Sequence, residues 1–362
     1  MLRSTRVGST MGLKAHLAIA AGLALATASA VVAQEPETTQ ASQQDTVRAR
    51  ATLGSPDQVD NQLATDAKPN DPLINFGFLD GYFDFKDRLK ESSGLGFGVD
   101  YTAAYFGASA SLGEDQAGSG ILRLFGSWEL VGRESGNTGA FVYKIEHRHP
   151  YTDIAPKVLS FNLGYAGIFA APHNDDEFRV TNLYWRQSLG KGRFVLLGGF
   201  LDATDYVDIF GLGSPWLHFM NLAFSTGAAS IALPNDGLLG LAGAAWLSDH
   251  VYAIASIGDN ASDPTDPFTG FDRFFNVNEY FTSAEVGWTT SQDRTYFDNI
   301  HVTFWHSDEK SEAGDPSGWG LNFSGTWLFE NRWMPFLRGG YAEDGGSLLQ
   351  KSISTGVGYQ WI

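Results

Sequence analysis

VTNLYWRQSLGKGRFVLLGGFLDATDYVDIFGLGSPWLHFMNLAFSTGAASIALPNDG, residues 180–237, is the stretch whose reading decides the fold. Residues 179–188 and 193–202 read as two strands joined across Gly190-Lys191-Gly192, a hairpin. The link that follows, Ala203–Gly237, far exceeds the two to five residues of an ordinary hairpin connection, so it reads as a loop with a task of its own. Folded back between the strands it would lie inside a β-barrel.

Working outward, a period of two recurs. In GLGFGVDYTAAY, Leu95, Phe97, Val99, Tyr101 and Tyr105 share one face, while Gly96, Gly98, Asp100 and Thr102 share the other. Leu122, Leu124, Trp128 and Leu130 likewise oppose Arg123, Ser127 and Glu129, and Trp319, Leu321 and Phe323 oppose Asn322 and Ser324. A soluble sandwich alternates too. Large apolar side chains with Trp and Tyr near strand ends favour a membrane wall with aromatic belts. Twelve strands can be written: 94–106, 120–131, 139–149, 179–188, 193–202, 238–247, 250–258, 281–290, 300–307, 319–329, 334–341 and 349–361. Short turns and longer Asp-, Gly- and Pro-rich links then alternate, as in bacterial barrels with short periplasmic turns and long outer loops. VLSFNLGYAGIF, residues 158–169, could be one more strand, but inserting it would put every later loop on the wrong side. It is assigned to the second outer loop, Pro150–Phe178.

With these residues in view, the segment from Asn182 to Gly237 resembles the carbohydrate-selective outer-membrane porin family (OprB-like), and the similarity extends from about Phe76 to the end. The resemblance implies a transmembrane antiparallel β-barrel in the outer membrane, passing small carbohydrates. It also implies sixteen strands and an aromatic last residue, whereas twelve are read here and the chain stops at Trp361-Ile362. Either the last strands lie beyond this chain or the barrel is a smaller one.

The first 33 residues carry basic Arg3, Arg6 and Lys14, an apolar run from Leu17 to Ala26 and small residues before Gln34, which is the layout of a secretory signal peptide. The run is shorter than the roughly 20 residues that span hydrocarbon as a helix. Residues 34–75, rich in Gln, Thr, Asp and Pro, show no periodicity and read as a disordered periplasmic segment. Phe83, Phe85 and Leu89 then form an amphipathic lead-in ending at Ser92-Ser93-Gly94, and the barrel domain is set at 76–362. Formal charge is −17, becoming −20 without the signal peptide, which argues against nucleic acid as a partner. The chain has no cysteine, so its fold relies on no disulfide. A mean hydropathy of −0.15 with 14% aromatics suits strands that are apolar on one face only.

Strand parity points Arg123, Glu129, Lys144, Glu146, Arg148, Arg186, Asp202, Glu285 and Arg338 into the lumen. Mixed signs there offer donors and acceptors to the hydroxyls of a neutral sugar, where a single sign would select ions. Lys144, Glu146 and Arg148 form a rail along one strand. Trp216, in the long loop, would present an aromatic face to the C–H face of a pyranose. His147 and His149 share the lipid side with no convergent third ligand, so no metal is assigned, and no cofactor is implied. No Gly-x-Ser-x-Gly is present, and His306-Ser307-Asp308 are chain neighbours, not an assembled triad. The sequence is read as a porin for small neutral sugars in contact with outer-membrane lipid. The alternatives are a barrel enzyme acting on lipid or glycan and a noncatalytic structural barrel.

Overall fold

In the computed structural model, which describes residues 54–67, 77–164, 168–175, 177–225 and 230–359, twelve strands form one antiparallel sheet in strict chain order. They are β1 (Leu95–Gly107), β2 (Gln116–Val131), β3 (Gly139–Pro150), β4 (Glu177–Leu189), β5 (Phe194–Leu201) and β6 (Leu238–Trp246), then β7 (Val251–Asp259), β8 (Tyr280–Thr289), β9 (Asn299–Ser307), β10 (Gly318–Thr326), β11 (Trp333–Asp344) and β12 (Lys351–Tyr359). Each expected strand is present, shifted by a few residues at its ends. The alternation of connections holds as well: 132–138, 190–193 and 247–250 are short, while 151–176, 202–237 and 260–279 are long. The hairpin that opened the reading closes on Gly190 and Gly192, whose φ of 61° and 82° lie in the left-handed region where a Cβ is unwelcome.

The two faces of the sheet settle what kind of wall it is. On β2, Leu122 and Leu124 are exposed, whereas Ile121, Arg123 and Phe125 are buried. On β9 and β10, Ile300, Val302, Phe304, Trp319, Leu321 and Phe323 are exposed while His301, Thr303, Asn322 and Ser324 are buried. An exposed apolar band around a polar interior is the reverse of a soluble sandwich and is what hydrocarbon on the outside demands. Stacked pairs such as Trp288–Trp327, at 6.1 Å between ring centroids, rim that band. Among the described residues no helix is long and apolar enough to cross a membrane. Leu124→Arg, which puts a charge on the lipid face near mid-strand, is expected to lower stability by about 2–4 kcal/mol in unfolding titrations from lipid vesicles. A polar substitution at Ser127, on the inner face, should cost far less.

The sheet curls around its own longest connection. The β5–β6 loop touches β4 through Asp205 and Asn182 (3.0 Å) and β9 through Asp208 and His301 (2.9 Å). It also meets β9 again through Ser230, whose carbonyl accepts the Trp305 indole N–H at 3.1 Å. Its buried Tyr206, Val207, Ile231 and Ala232 join wall residues Phe125, Val142, Tyr184, Tyr252 and Trp305 in one apolar cluster inside the wall. The loop thus packs against the inner face of the sheet.

The segment assigned to the second outer loop lies in the β3–β4 connection: there Pro156–Asn162 is a helix, α3, and Phe169 makes an isolated bridge to Asn221. Pro156 sits in the first turn behind an extended Ala155, a favourable helix start. One reading needs correction, that of the stretch expected to be disordered. Within it, residues 54–67 are ordered and include a helix, α1 (Val59–Thr65), with Val59 buried. Single apolar residues at Val59 and Leu63, four apart, are enough for a one-sided contact but too few for a visible pattern. The amphipathic lead-in is a helix, α2 (Asp80–Ser93), ended by Gly94 at φ 79°, whose N–H bonds the Lys90 carbonyl. The signal-peptide reading, residues 1–33, lies outside the described residues.

Candidate functional site

Register builds the site. Asp100 of β1 faces Arg123 of β2, Arg123 faces Glu146 of β3, and Glu146 faces Arg179 of β4. Four successive strands thus place a row of alternating charge across the inner wall at one height. Opposite charges directly across an antiparallel pair stabilise the pairing, and here they also spread fixed donors and acceptors transversely. The Arg123 guanidinium binds Asp100 with two parallel hydrogen bonds, Nε to Oδ1 at 2.7 Å and Nη2 to Oδ2 at 2.6 Å. Arg148, two residues along β3, donates from Nε to Glu146 Oε2 at 2.7 Å.

The β5–β6 loop completes this row. Asp236, at its far end, accepts from Arg148 Nη2 at 3.2 Å and from Arg179 Nη2. Trp216 lies over Arg123, 4.3 Å from guanidinium carbon to ring centroid, with the His173 ring 6.0 Å away. Three guanidiniums, Arg123, Arg148 and Arg179, therefore meet three carboxylates, Asp100, Glu146 and Asp236. Lys144 is buried next to the row, within the electrostatic reach of the carboxylates of Asp205, Asp202 and Glu146.

The other expected lumen residues do different work. Arg338 and Glu285 are buried anchors for the loop, not open wall. Arg338 pairs with the Asp208 carboxylate, bonds the carbonyls of Asp208 (3.1 Å) and Ser225, and reaches Ser324 Oγ at 3.2 Å. Glu285 accepts from the Asp208 N–H (2.9 Å), Thr303 Oγ1 (2.7 Å) and Tyr252 OH (3.0 Å). Asp208 itself holds φ 50°, a left-handed conformation that Asp tolerates and these bonds secure. Asp202 lies just past β5 and caps the next turn, accepting from Thr204 N–H at 2.9 Å. Arg186 pairs with Asp60 of α1 and reaches Ser127 Oγ at 3.3 Å. Glu129 is half-buried near the short-turn end, lining a cavity of about 120 Å³ with Asp60, Lys90 and Ser127, away from the charged row.

Three members of the row were missed or underused in the sequence. Arg179 has odd numbering on a strand whose other lumen positions, Tyr184 and Arg186, are even, because the β3–β4 register shifts between Lys144 and Ile145. A bulge reverses parity, and nothing in VTNLYW signals one. Asp236 sits in PNDG, which reads as turn chemistry alone. Asp100 had the right parity but stood by itself until the register put Arg123 opposite.

Burial sets the charge states outside the strands. Asp57, on the segment leading into α1, has its carboxyl pushed up to about 6 by burial, against a Ser214 hydrogen bond and the charges of Lys144 and Arg123, with Asp202 adding to the rise. Burial also lifts Asp202, helped by the charge of Asp205, and lifts Asp205. His173 is pushed down to about 4 by burial and by Arg148 and Arg123. Its Nδ1 lies 2.8 Å from Ser119 Oγ, and the two residues are 1% and 0% exposed. On the lipid face, His147 and His149 approach to 3.3 Å between Nδ1 atoms, and among the described residues no group of three metal-binding side chains forms.

Asp57 gives a pH expectation with a definite sign. Its seated pKa of about 6 lies above the ordinary 3.8, so the seated segment holds the proton more tightly than the free one. Seating is therefore favoured fully below about pH 4 and loses that contribution as pH rises to about 6. His173 works oppositely over an overlapping window, so a global unfolding curve would blur the effect. Hydrogen-exchange protection of residues 55–65, corrected for intrinsic rates, should fall between pH 4.5 and 8, and Asp57→Asn should flatten the fall.

No protein-family model matches the chain, and no curated protein sequence matches it either. Among solved structures it is similar to OprB of Pseudomonas putida, determined at high pH, with a TM-score of 0.54 at 12% identity over 76% of this chain and 73% of that one. Weaker likenesses are a mutant porin of Rh. blastica (TM-score 0.32, 13% identity, 74% of this chain and 90% of that one) and OmpF of Salmonella typhi in complex with daunomycin (0.33, 11%, 74% and 86%). Together with the apolar outer band and the polar, loop-filled interior, the likeness to OprB identifies the fold: the chain is a transmembrane antiparallel β-barrel with a fold similar to that porin's.

Proposed function

We propose that the protein is an outer-membrane porin through which small neutral carbohydrates, monosaccharides in size, diffuse passively. The observation that carries this reading is the balanced transverse row of Asp100, Arg123, Glu146 and Arg179 beneath Asp236 and Trp216. A neutral polyol has hydroxyls that both donate and accept, so a surface alternating guanidinium and carboxylate matches it without favouring either ion sign. An aromatic ring beside the row offers the apolar C–H face a partner. The pairing of these charges with one another keeps each contact weak enough to exchange, as conduction requires. No catalysis is part of this reading.

The test is current block. Single channels of purified protein in planar bilayers should show glucose-dependent interruption in the millimolar range, the affinity of weak exchange at about 4 kcal/mol. Arg148→Ala should weaken the block about tenfold while changing conductance in salt alone by much less, since one lost charge-assisted hydrogen bond is worth about 1.5–3 kcal/mol. Block by amino acids equal to that by sugars would reduce the protein to a general diffusion pore.

A further inference from the structure

With the β5–β6 loop seated, the charged row is almost fully covered: Arg123, Glu146, Arg148 and Arg179 are 8%, 2%, 5% and 1% exposed. Beneath that loop lies a second element. The ordered segment 54–67 enters the interior at the short-turn end and runs from one side of the wall to another. On one side, the Tyr296 hydroxyl, from the β8–β9 turn, donates to the Gly54 carbonyl at 2.6 Å and accepts from Asn61 Nδ2 at 2.8 Å. On the other, Leu63 packs at Gly96 of β1, Asp66 pairs with Lys86 of α2, and Asp60 pairs with Arg186 of β4. In between, Ser55 N–H donates to the Asp205 carbonyl at 2.6 Å and Ser214 Oγ donates to Asp57 Oδ1 at 2.6 Å, so the segment is buttoned to the underside of the long loop.

From this placement we infer that residues 54–67 are a resident strap across the short-turn mouth of the barrel, and that the wide path opens when the strap leaves its seat. The inference rests on the channel reading above and goes beyond it. The seat is suited to release. It is mostly polar, with a single fully buried apolar side chain, Val59, and Leu63 packed beside it. Every polar anchor named here can exchange its partner for water when the strap withdraws, so little is stranded. The fit is also loose on one side, where the cavity of about 120 Å³ beside Asp60 and Leu63 has room for a few waters. By contrast the β5–β6 loop is held at both chain ends and by the buried Arg338–Asp208 pair, and cannot swing clear. A helix about 10 Å across occupies a large share of the interior of a twelve-stranded wall, so its departure should change conductance by about twofold or more.

Because the chain has no cysteine, an introduced pair reports cleanly. In full-length protein carrying Asp57→Cys and Ser214→Cys, a reducible bridge closed by oxidant or by a short bis-methanethiosulfonate should form in membrane-inserted protein and lock the low-conductance state. Dithiothreitol should then raise single-channel current about twofold or more. Asp60→Ala with Asn61→Ala, which leaves the wall intact, should favour the larger level with no bridge present. A bridge that forms without altering current in either state would overturn the strap as a gate and leave the porin reading standing. Heat-modifiable, folded protein in which no bridge forms would overturn the seat itself. A bridge that forms in protein passing no current, oxidised or reduced, would sink the porin reading and the gate with it.

Discussion

Arg338→Ala is expected to lower stability by about 3–5 kcal/mol, the cost of breaking a buried ion pair from one side. Both partners are 1% exposed, so the Asp208 carboxylate would be left in the interior without its guanidinium, facing the His301 ring at 2.9 Å. The same guanidinium stacks 4.0 Å from the Phe210 ring and bonds three carbonyl or hydroxyl oxygens, so packing and loop anchoring go together. Chemical unfolding in detergent should show the loss, and proteolysis should cut within 206–225 in protein that is otherwise folded. Arg338→Lys should recover only part, since a single ammonium cannot reproduce the fork. A substitution tolerated within 1 kcal/mol would mean that the loop is held elsewhere.

Asp236→Ala should be nearly as costly and should also change what the channel selects. One carboxylate here neutralises two guanidiniums, Arg148 and Arg179, on neighbouring strands. Removing it takes one carboxylate from Arg179, 1% exposed, and from Arg148 beside Glu146, a loss expected to cost about 3 kcal/mol or more. The balanced set becomes three guanidiniums against two carboxylates. Reversal potentials in a salt gradient should therefore move toward anions, and the move should shrink at high salt, where charges are screened over about 3 Å. Asp236→Asn keeps the shape but not the charge, so it should reproduce the selectivity change with a smaller loss of stability. An unchanged reversal potential in both variants would take Asp236 out of the conduction path.

What the sequence made legible follows from which forces act locally. Leu122, Leu124, Arg123 and Ser127 declare their faces because a strand facing hydrocarbon must alternate, and the short turns declare themselves through Gly190 and Gly192. Strand number, order and the inward loop could all be read from such signals. The site was legible only in part. Arg123, Glu146 and Arg148 were found by parity, yet the row they belong to exists only once the register sets Asp100, Arg123, Glu146 and Arg179 opposite one another. Register is a pairing between strands, and a bulge at Thr181 hid one member. Arg338 and Glu285 have the parity of lumen residues but serve as anchors, because the partner that claims them, Asp208, arrives from a loop 77 or more residues away. The strap was the least legible part: its seat is made by Tyr296, Ser214, Asp205 and Arg186, all distant in the chain, and its own composition resembles that of a disordered segment.

Liposome swelling tests the central claim most directly. Vesicles containing the purified protein would be diluted into isosmotic monosaccharide, and separately into isosmotic amino acids and zwitterions of similar size. If the row of alternating guanidiniums and carboxylates faces a sugar path, monosaccharides should enter several-fold faster than zwitterions of equal size. The preference should erode in Arg148→Ala more than total permeability does. Equal entry of all solutes would contradict sugar preference, and vesicles that do not swell at all, from protein shown to be folded and inserted, would contradict the channel.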